Sequence, residues 1–192
     1  LDEYLIRDLM MQEAKIDTFG VGERLITAKS APVFGGVYKL AAVEDEQGNI
    51  IPKIKISENT AKITNPHYKK LYRFYDNESG KALADELCVY DETIDSTKPH
   101  TIFDPDAIWK TKTLTDYTAR ELHVTVFKNG ELVYKQPSLY EIRIYCAEQL
   151  ETLWDEVKRF ENPHTYYVDL SKKLWDIKNA LLEKSKDGKD LK

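Results

Sequence analysis

The spacing of apolar residues changes abruptly at Pro137, and this change restricts the folds open to the chain. Between residues 37 and 136, short apolar or alternating stretches lie between turn-forming residues, which is typical of strands. After Pro137, apolar side chains recur three and four positions apart, as on one face of a helix. The sequence therefore predicts a mixed α/β protein whose strand-rich part precedes its last helices.

Three hairpins are expected before Pro137. In the clearest, residues 124–134, Asn129-Gly130 supplies the positive φ angles that a two-residue turn requires and sets Lys128 opposite Glu131. The other two each join a pair of strands across a polar turn. Their predicted strands are 37–43 with 50–56, and 71–75 with 82–90.

Ser138 and Glu141 form a capping-box pattern, which predicts that a long helix begins there and runs to Phe160, before Asn162-Pro163. Its apolar residues make one stripe that must pack on a partner. These are Leu139, Ile142, Cys146, Leu150, Leu153, Val157 and Phe160. A second long helix is predicted at 170–184, paired with the first or covering the sheet with it, and a frayed, charged tail at 185–192.

The first residues read as an amphipathic helix over 1–14, with no capping residue ahead of it, as in a fragment of a longer polypeptide. A short strand is predicted at 15–19 and a glycine-containing turn at 20–22. The character of the sequence changes near Gly35. We therefore expect two domains, residues 1–35 and 36–192.

Composition excludes several classes of protein. A net charge of -5 and a pI near 5.5 argue against a nucleic-acid platform, which concentrates Lys and Arg. No apolar run reaches the roughly eighteen residues of a membrane span. Cys88 and Cys146 each lie in an apolar stretch and are predicted to be buried reduced thiols, which indicates a cytoplasmic protein.

Few residues are arranged for chemistry. The histidines lack the spacing that places two ligands on one helix face, so no metal site is predicted. They are His67, His100, His123 and His164. Asp104-Pro105-Asp106 is interpreted as a turn rather than as an acid pair.

The exception is the turn after the predicted strand at 15–19, formed by Gly20, Val21 and Gly22. Two glycines at the end of a strand let amide N–H groups approach an anion closely, although tight turns explain most such patterns. Lys29 and Lys39 follow and are candidates to neutralise a bound phosphate, with an ordinary surface position as the alternative for each.

Five strings carry a specific resemblance. They are IDTFGVG at 16–22, GGVYKL at 35–40, TLWDEV at 152–157, NPHTYYVDLS at 162–171 and KLWD at 173–176. In this order they resemble the C-terminal part of bacterial nicotinate phosphoribosyltransferases. The resemblance implies the last part of an irregular α/β phosphoribosyltransferase barrel, followed by a β-rich lobe with two long C-terminal helices.

The resemblance further implies an enzyme of NAD biosynthesis that joins nicotinate to phosphoribosyl pyrophosphate, giving nicotinate mononucleotide and pyrophosphate. ATP hydrolysis accompanies the reaction, Mg²⁺ is required, and the active sites lie near a homodimer interface. The amides of Gly20, Val21 and Gly22 inherit contacts to the nucleotide phosphate. The catalytic histidine and the nicotinate ligands lie upstream of the point matching Leu1, so none of the four histidines is catalytic and the chain alone is expected to be inactive.

Two alternatives remain open at this point. A nicotinamide phosphoribosyltransferase would share the fold and the glycine loop. A non-catalytic anion-binding or interaction fragment would instead use the apolar stripe of the helix starting at Ser138 as a partner surface. Burial of that stripe against the chain's own sheet would remove the support for the interaction fragment.

Overall fold

The computed structural model of the chain describes residues 1–33 and 35–186. It divides into two compact units, Leu1–Tyr38 and Lys39–Lys192. Of the tail predicted to be frayed, Ser185 and Lys186 belong to the last helix, and residues 187–192 lie outside the described part.

The first unit contains two helices, α1 (Glu3–Met11) and α2 (Glu23–Ile26). The prediction that α1 lacks a cap was wrong, because the Asp2 carboxylate accepts a hydrogen bond from the Leu5 amide at 2.9 Å. Arg24 of α2 forms an ion pair with the same carboxylate. The pKa of Asp2 is lowered, first by the Leu5 amide and also by the Arg24 charge.

The strand predicted at 15–19 is absent. Residues 15–19 make no ladder with another strand among the described residues, and a strand without a partner is not stable in water. A short stretch before a glycine-containing turn was therefore an insufficient signal for a strand. Residues 1–33 contain two helices and their connections, without a strand.

Within residues 39–186 the second unit contains ten strands, three helices and a 3₁₀ turn (Thr60–Lys62). The strands are β1 (Ala42–Glu44), β2 (Ile50–Pro52), β3 (Lys69–Asp76), β4 (Ala82–Val89), β5 (His100–Asp104), β6 (Ala107–Leu114), β7 (Tyr117–Glu121), β8 (Phe127–Lys128), β9 (Glu131–Leu132) and β10 (Val168–Leu170). The helices are α3 (Leu139–Glu151), α4 (Asp155–Lys158) and α5 (Lys172–Lys186). The expected mixed α/β class is confirmed.

The main sheet has four strands in the order β10-β4-β3-β7. β4 is antiparallel to β3 and parallel to β10, so it is paired on both sides. It is also mostly buried, as its apolar sequence requires. The strand pairs β1–β2, β5–β6 and β8–β9 form separate two-stranded sheets.

The apolar core lies on both faces of β4. One cluster fills the space between the main sheet and the β5–β6 hairpin, with Phe74 and Tyr117 in edge-to-face contact at 5.5 Å. A second cluster joins Val89, Leu170 and Leu174, and so fixes α5 to the sheet. Burial of these side chains is the main favourable term in the stability of the unit.

Local turn chemistry gives the predicted hairpins. β3 and β4 pair as expected, with both strands close to the predicted bounds, whereas β1 and β2 are shorter than predicted. In the β8–β9 hairpin, Asn129 and Gly130 have φ of 52° and 82°, and Lys128 lies opposite Glu131, as predicted. The Asp104-Pro105-Asp106 turn is also confirmed, between β5 and β6.

The predicted helix over 138–160 is interrupted. Ser138 and Glu141 form the expected capping box, but α3 ends at Glu151 and α4 begins at Asp155. Tertiary contacts to β4 explain the break, because the Thr152 carbonyl accepts the Ala82 amide at 2.7 Å and the Trp154 indole donates to the Ala82 carbonyl at 3.1 Å. These bonds replace the helical continuation that the apolar pattern predicted.

The stripe on this segment is not buried against the sheet. Leu139 is 75% exposed, Leu150 and Phe160 are about half exposed, and none of the seven stripe residues is buried. α5, rather than α3, covers the sheet. Cys88 and Cys146 are both free thiols, but only Cys88 is buried, so the predicted burial of Cys146 was wrong because it lies on this exposed helix.

An ionic network fixes the segment before β10. The Arg73 guanidinium bonds both carboxylate oxygens of Asp85, at 2.8 and 2.9 Å, and the Tyr166 hydroxyl donates to the same carboxylate at 2.8 Å. The Arg73 guanidinium also lies 5.6 Å from the centre of the Tyr166 ring. Burial and the Asp85 carboxylate raise the pKa of Tyr166 above its ordinary value.

Asp169 of β10 is a buried acid of a different kind. Its residue is 5% exposed, yet its carboxylate has no hydrogen bond and no ion pair within the described ranges. Burial raises its pKa to about 6, with smaller contributions from the carboxylates of Asp104 and Glu86. A charge left unpaired in such surroundings lowers the stability of the fold.

We predict that Asp169→Asn raises the melting temperature at about pH 8, by on the order of 2–6 °C, and has little effect at about pH 4. Because the folded pKa of about 6 exceeds the ordinary 3.8, protonation favours the folded state, and this contribution is lost as pH rises towards 6. Calorimetry at both pH values checks this. An equal loss of stability at both values would mean that the carboxylate has a stabilising partner.

Candidate phosphate-binding loop

Gly20, Val21 and Gly22 connect the extended chain after α1 to the short helix α2. Gly22 precedes the first residue of α2, and its carbonyl accepts the amides of Leu25 and Ile26 at 3.0 Å each. The carbonyl side of the loop is therefore held by the helix.

The loop's own amides have no acceptor among the described residues. Across residues 1–33 and 35–186, the N–H groups of Gly20, Val21 and Gly22 make no hydrogen bond. A Cβ atom placed on Gly20 or Gly22 would meet no other atom within 4 Å. Free amides beside open space are what an oxyanion needs in order to approach a peptide backbone.

The loop borders a cleft of about 390 Å³ inside the first unit. Val21 is the loop residue that lines this cleft, and the guanidinium of Arg24 lines it as well. The full lining is Asp2, Glu3, Ile6, Val21, Arg24, Leu25, Ala28 and Ser30. Since Arg24 is already paired with Asp2, the cleft holds a compensated rather than an excess positive charge.

The two lysines suggested by the sequence occupy different units. Lys29 follows α2 in the first unit, is exposed, and makes no side-chain ion pair among the described residues. Lys39 is the first residue of the second unit and is exposed there. Sequence reasoning missed Arg24, whose only signal is a basic residue two positions after Gly22.

The described residues do not assemble a metal centre. In the part of the chain that the structure describes, no group of three or more His, Cys, Asp or Glu residues could hold a metal ion. None of the helices in the same part is long and apolar enough to cross a membrane.

The four histidines all belong to the second unit and do not form a cluster. His100 is the most constrained, with its Nε2 atom 2.8 Å from a carboxylate oxygen of the buried Glu86 and its ring stacked on Phe74 at 5.1 Å. His123 and His164 are exposed. His100 therefore packs against the edge of the core cluster that contains Phe74.

Comparison with known proteins shows which family the chain is similar to. Residues 68–178 match the family described as nicotinate phosphoribosyltransferase C-terminal domain. Nicotinate phosphoribosyltransferase from Bacillus subtilis (strain 168) is 40% identical over 178 residues, which cover 93% of this chain and 36% of that protein. The Dictyostelium discoideum protein of the same name is 33% identical over 200 residues, covering 100% of this chain and 33% of the relative.

A solved structure agrees. A crystal structure of human nicotinic acid phosphoribosyltransferase superposes with a TM-score of 0.57 and 26% identity, over 62% of this chain and 24% of the human chain. The chain spans about a third of the length of the curated relatives that it matches. Sequence and fold together show that the chain belongs to the nicotinate phosphoribosyltransferase family, of which residues 68–178 form the C-terminal domain.

Proposed function

We propose that the chain is the C-terminal part of an enzyme that joins nicotinate to phosphoribosyl pyrophosphate, yielding nicotinate mononucleotide and pyrophosphate. Membership of the family carries this proposal. The relatives are named for nicotinate, which favours nicotinate over nicotinamide as the acceptor. The two free thiols suit the reducing conditions of the cytoplasm.

The role of this chain in the reaction is to hold the phosphate of the ribose. Transfer of a ribosyl group passes through a state resembling an oxocarbenium ion, so the sugar must be fixed while charge separates. The amides of Gly20, Val21 and Gly22 are fixed donors that are not used elsewhere in the described structure. Lys29, in the same unit, adds a mobile positive charge, and Lys39 is a second candidate for this role.

The chemistry at the base and the leaving group is assigned to the rest of the enzyme. None of the four histidines lies in the unit that carries the loop. The catalytic histidine, the nicotinate ligands and the sites for ATP and Mg²⁺ are therefore proposed to come from the part of the enzyme outside this chain. Two such enzymes would pair as a homodimer.

A structural role is favoured by the exposed stripe on α3 and the residues after it. A surface of this kind, with Leu139 and Leu150 exposed, is costly in water and is normally covered. The relatives are about three times as long as the matched segment, so the same polypeptide has ample chain to cover it. We propose that the remainder of the enzyme packs on this stripe.

The purified chain of 192 residues is predicted to show no formation of nicotinate mononucleotide from nicotinate and phosphoribosyl pyrophosphate. The physical reason is that it binds a phosphate without positioning either reacting atom. Product is measured by liquid chromatography, with the complete enzyme as the positive control. Turnover by the chain alone at a rate near that of the complete enzyme would contradict the proposal that the rest of the enzyme positions the reacting groups.

In the complete enzyme, Gly20→Ala and Gly22→Ala are each predicted to raise the KM for phosphoribosyl pyrophosphate about tenfold, since a methyl group enters the space beside the donors. Steady-state kinetics measures this effect. Gly36→Ala is the matched control, because a Cβ there also meets no atom within 4 Å but lies outside the loop. Equal KM values for all three variants and the parent would remove the loop from the site.

A further inference from the structure

A second cleft, of about 480 Å³, lies within the second unit, where β10 meets the β5–β6 hairpin. It belongs to the C-terminal domain and takes no part in the phosphate loop. Its lining is Leu83, Ile102, Phe103, Asp104, Trp109, Lys110, Thr111, Lys112, Tyr167 and Asp169. The cleft therefore combines aromatic side chains with a buried acid.

Asp169 is the acid without a partner at this cleft. It lies beside Glu86 in the parallel pairing of β10 with β4, so the two carboxylates share one face of the sheet. The Glu86 carboxylate is hydrogen-bonded to His100, whose Nε2 atom lies 2.8 Å from its Oε2 atom. Asp104 accepts the amides of Asp106 and Ala107 and pairs with Lys110 at 3.5 Å.

The cleft's own lysines do not satisfy Asp169. Lys110 is directed to Asp104, and neither Lys110 nor Lys112 comes within 4.0 Å of an Asp169 oxygen among the ion pairs of the described residues. Asp169 therefore has no direct cationic partner among the described residues when it is ionised. A buried carboxylate that costs stability and lines a cleft is a feature of binding sites rather than of structural cores.

The side chains around the acid suit an organic cation. Trp109 is 77% exposed and Tyr167 is 49% exposed, so both rings are accessible at the cleft. Aromatic rings attract cations, and the planar guanidinium group also stacks on them. A metal ion fits less well, because no group of three or more His, Cys, Asp or Glu residues is assembled in the described part of the chain.

The same sheet already binds one guanidinium in this manner. Arg73 forms two hydrogen bonds to Asp85 and lies against the ring of Tyr166. Asp169 and Tyr167 repeat this pair of residue types, an acid on the sheet and a tyrosine just before β10, but lack the arginine. We propose that Asp169, Trp109 and Tyr167 form a recognition site for a guanidinium group.

The guanidinium has two possible sources with the same chemistry. It is either an arginine side chain from the part of the enzyme outside this chain or a free small molecule. Binding at this cleft is independent of the phosphoribosyl transfer proposed above. Its test therefore does not depend on activity.

The test is a titration of the 192-residue chain with methylguanidinium, followed by ¹H–¹⁵N NMR shifts of the Trp109 indole and the Asp169 amide. Saturable binding with a Kd in the low millimolar range is expected. Methylurea, which has a similar shape but no charge, should not bind. Asp169→Asn should weaken binding at least tenfold and Trp109→Ala about threefold.

Asp106→Asn is the matched control, because Asp106 is exposed on the adjacent turn and does not line this cleft; it should bind as the parent does. Equal affinity of Asp169→Asn and the parent, or equal binding of methylurea, would overturn the proposal. Repeating the titration on the complete enzyme separates the sources. Retained binding indicates a free ligand, whereas binding seen only with the isolated chain indicates an internal arginine.

Discussion

The parallel pairing of β10 with β4 is the contact on which the second unit depends. Val168 and Leu170 lie opposite Asp85 and Leu87, and the Ser171 amide continues the ladder to the Leu87 carbonyl at 2.9 Å. A parallel neighbour requires a crossover connection, and here the whole stretch between β4 and β10 supplies it. The short strand β10 thereby closes the domain, directs α5 onto the sheet through Leu174 and brings Asp169 to the second cleft.

Features with local causes could be predicted from the sequence. The β8–β9 hairpin follows from Asn129-Gly130, and the start of α3 follows from the capping box at Ser138. β10 could not be predicted, because three residues carry almost no periodicity and their partner lies about eighty positions earlier. The end of α3 was missed for the same kind of reason, since bonds to Ala82 are invisible in the local pattern.

The candidate sites also differ in whether their signal is local in the sequence or depends on distant contacts. The glycines of the candidate phosphate-binding loop are a local signal, and the structure adds that their amides make no hydrogen bond among the described residues. Arg24 was overlooked because its partner, Asp2, is distant in sequence. Asp169 has no distinctive signal beyond an acid between two apolar residues, and its unpaired carboxylate emerges only from the packing of β10 against β4 and β5.

We propose that this member of the nicotinate phosphoribosyltransferase family supplies backbone donors to a sugar phosphate. A crystal structure of the complete enzyme with nicotinate mononucleotide bound tests it most directly. We expect phosphate oxygens about 2.7–3.2 Å from the amide nitrogens of Gly20, Val21 and Gly22. A phosphate held elsewhere, with these amides bonded to protein atoms of the completed enzyme, would contradict it.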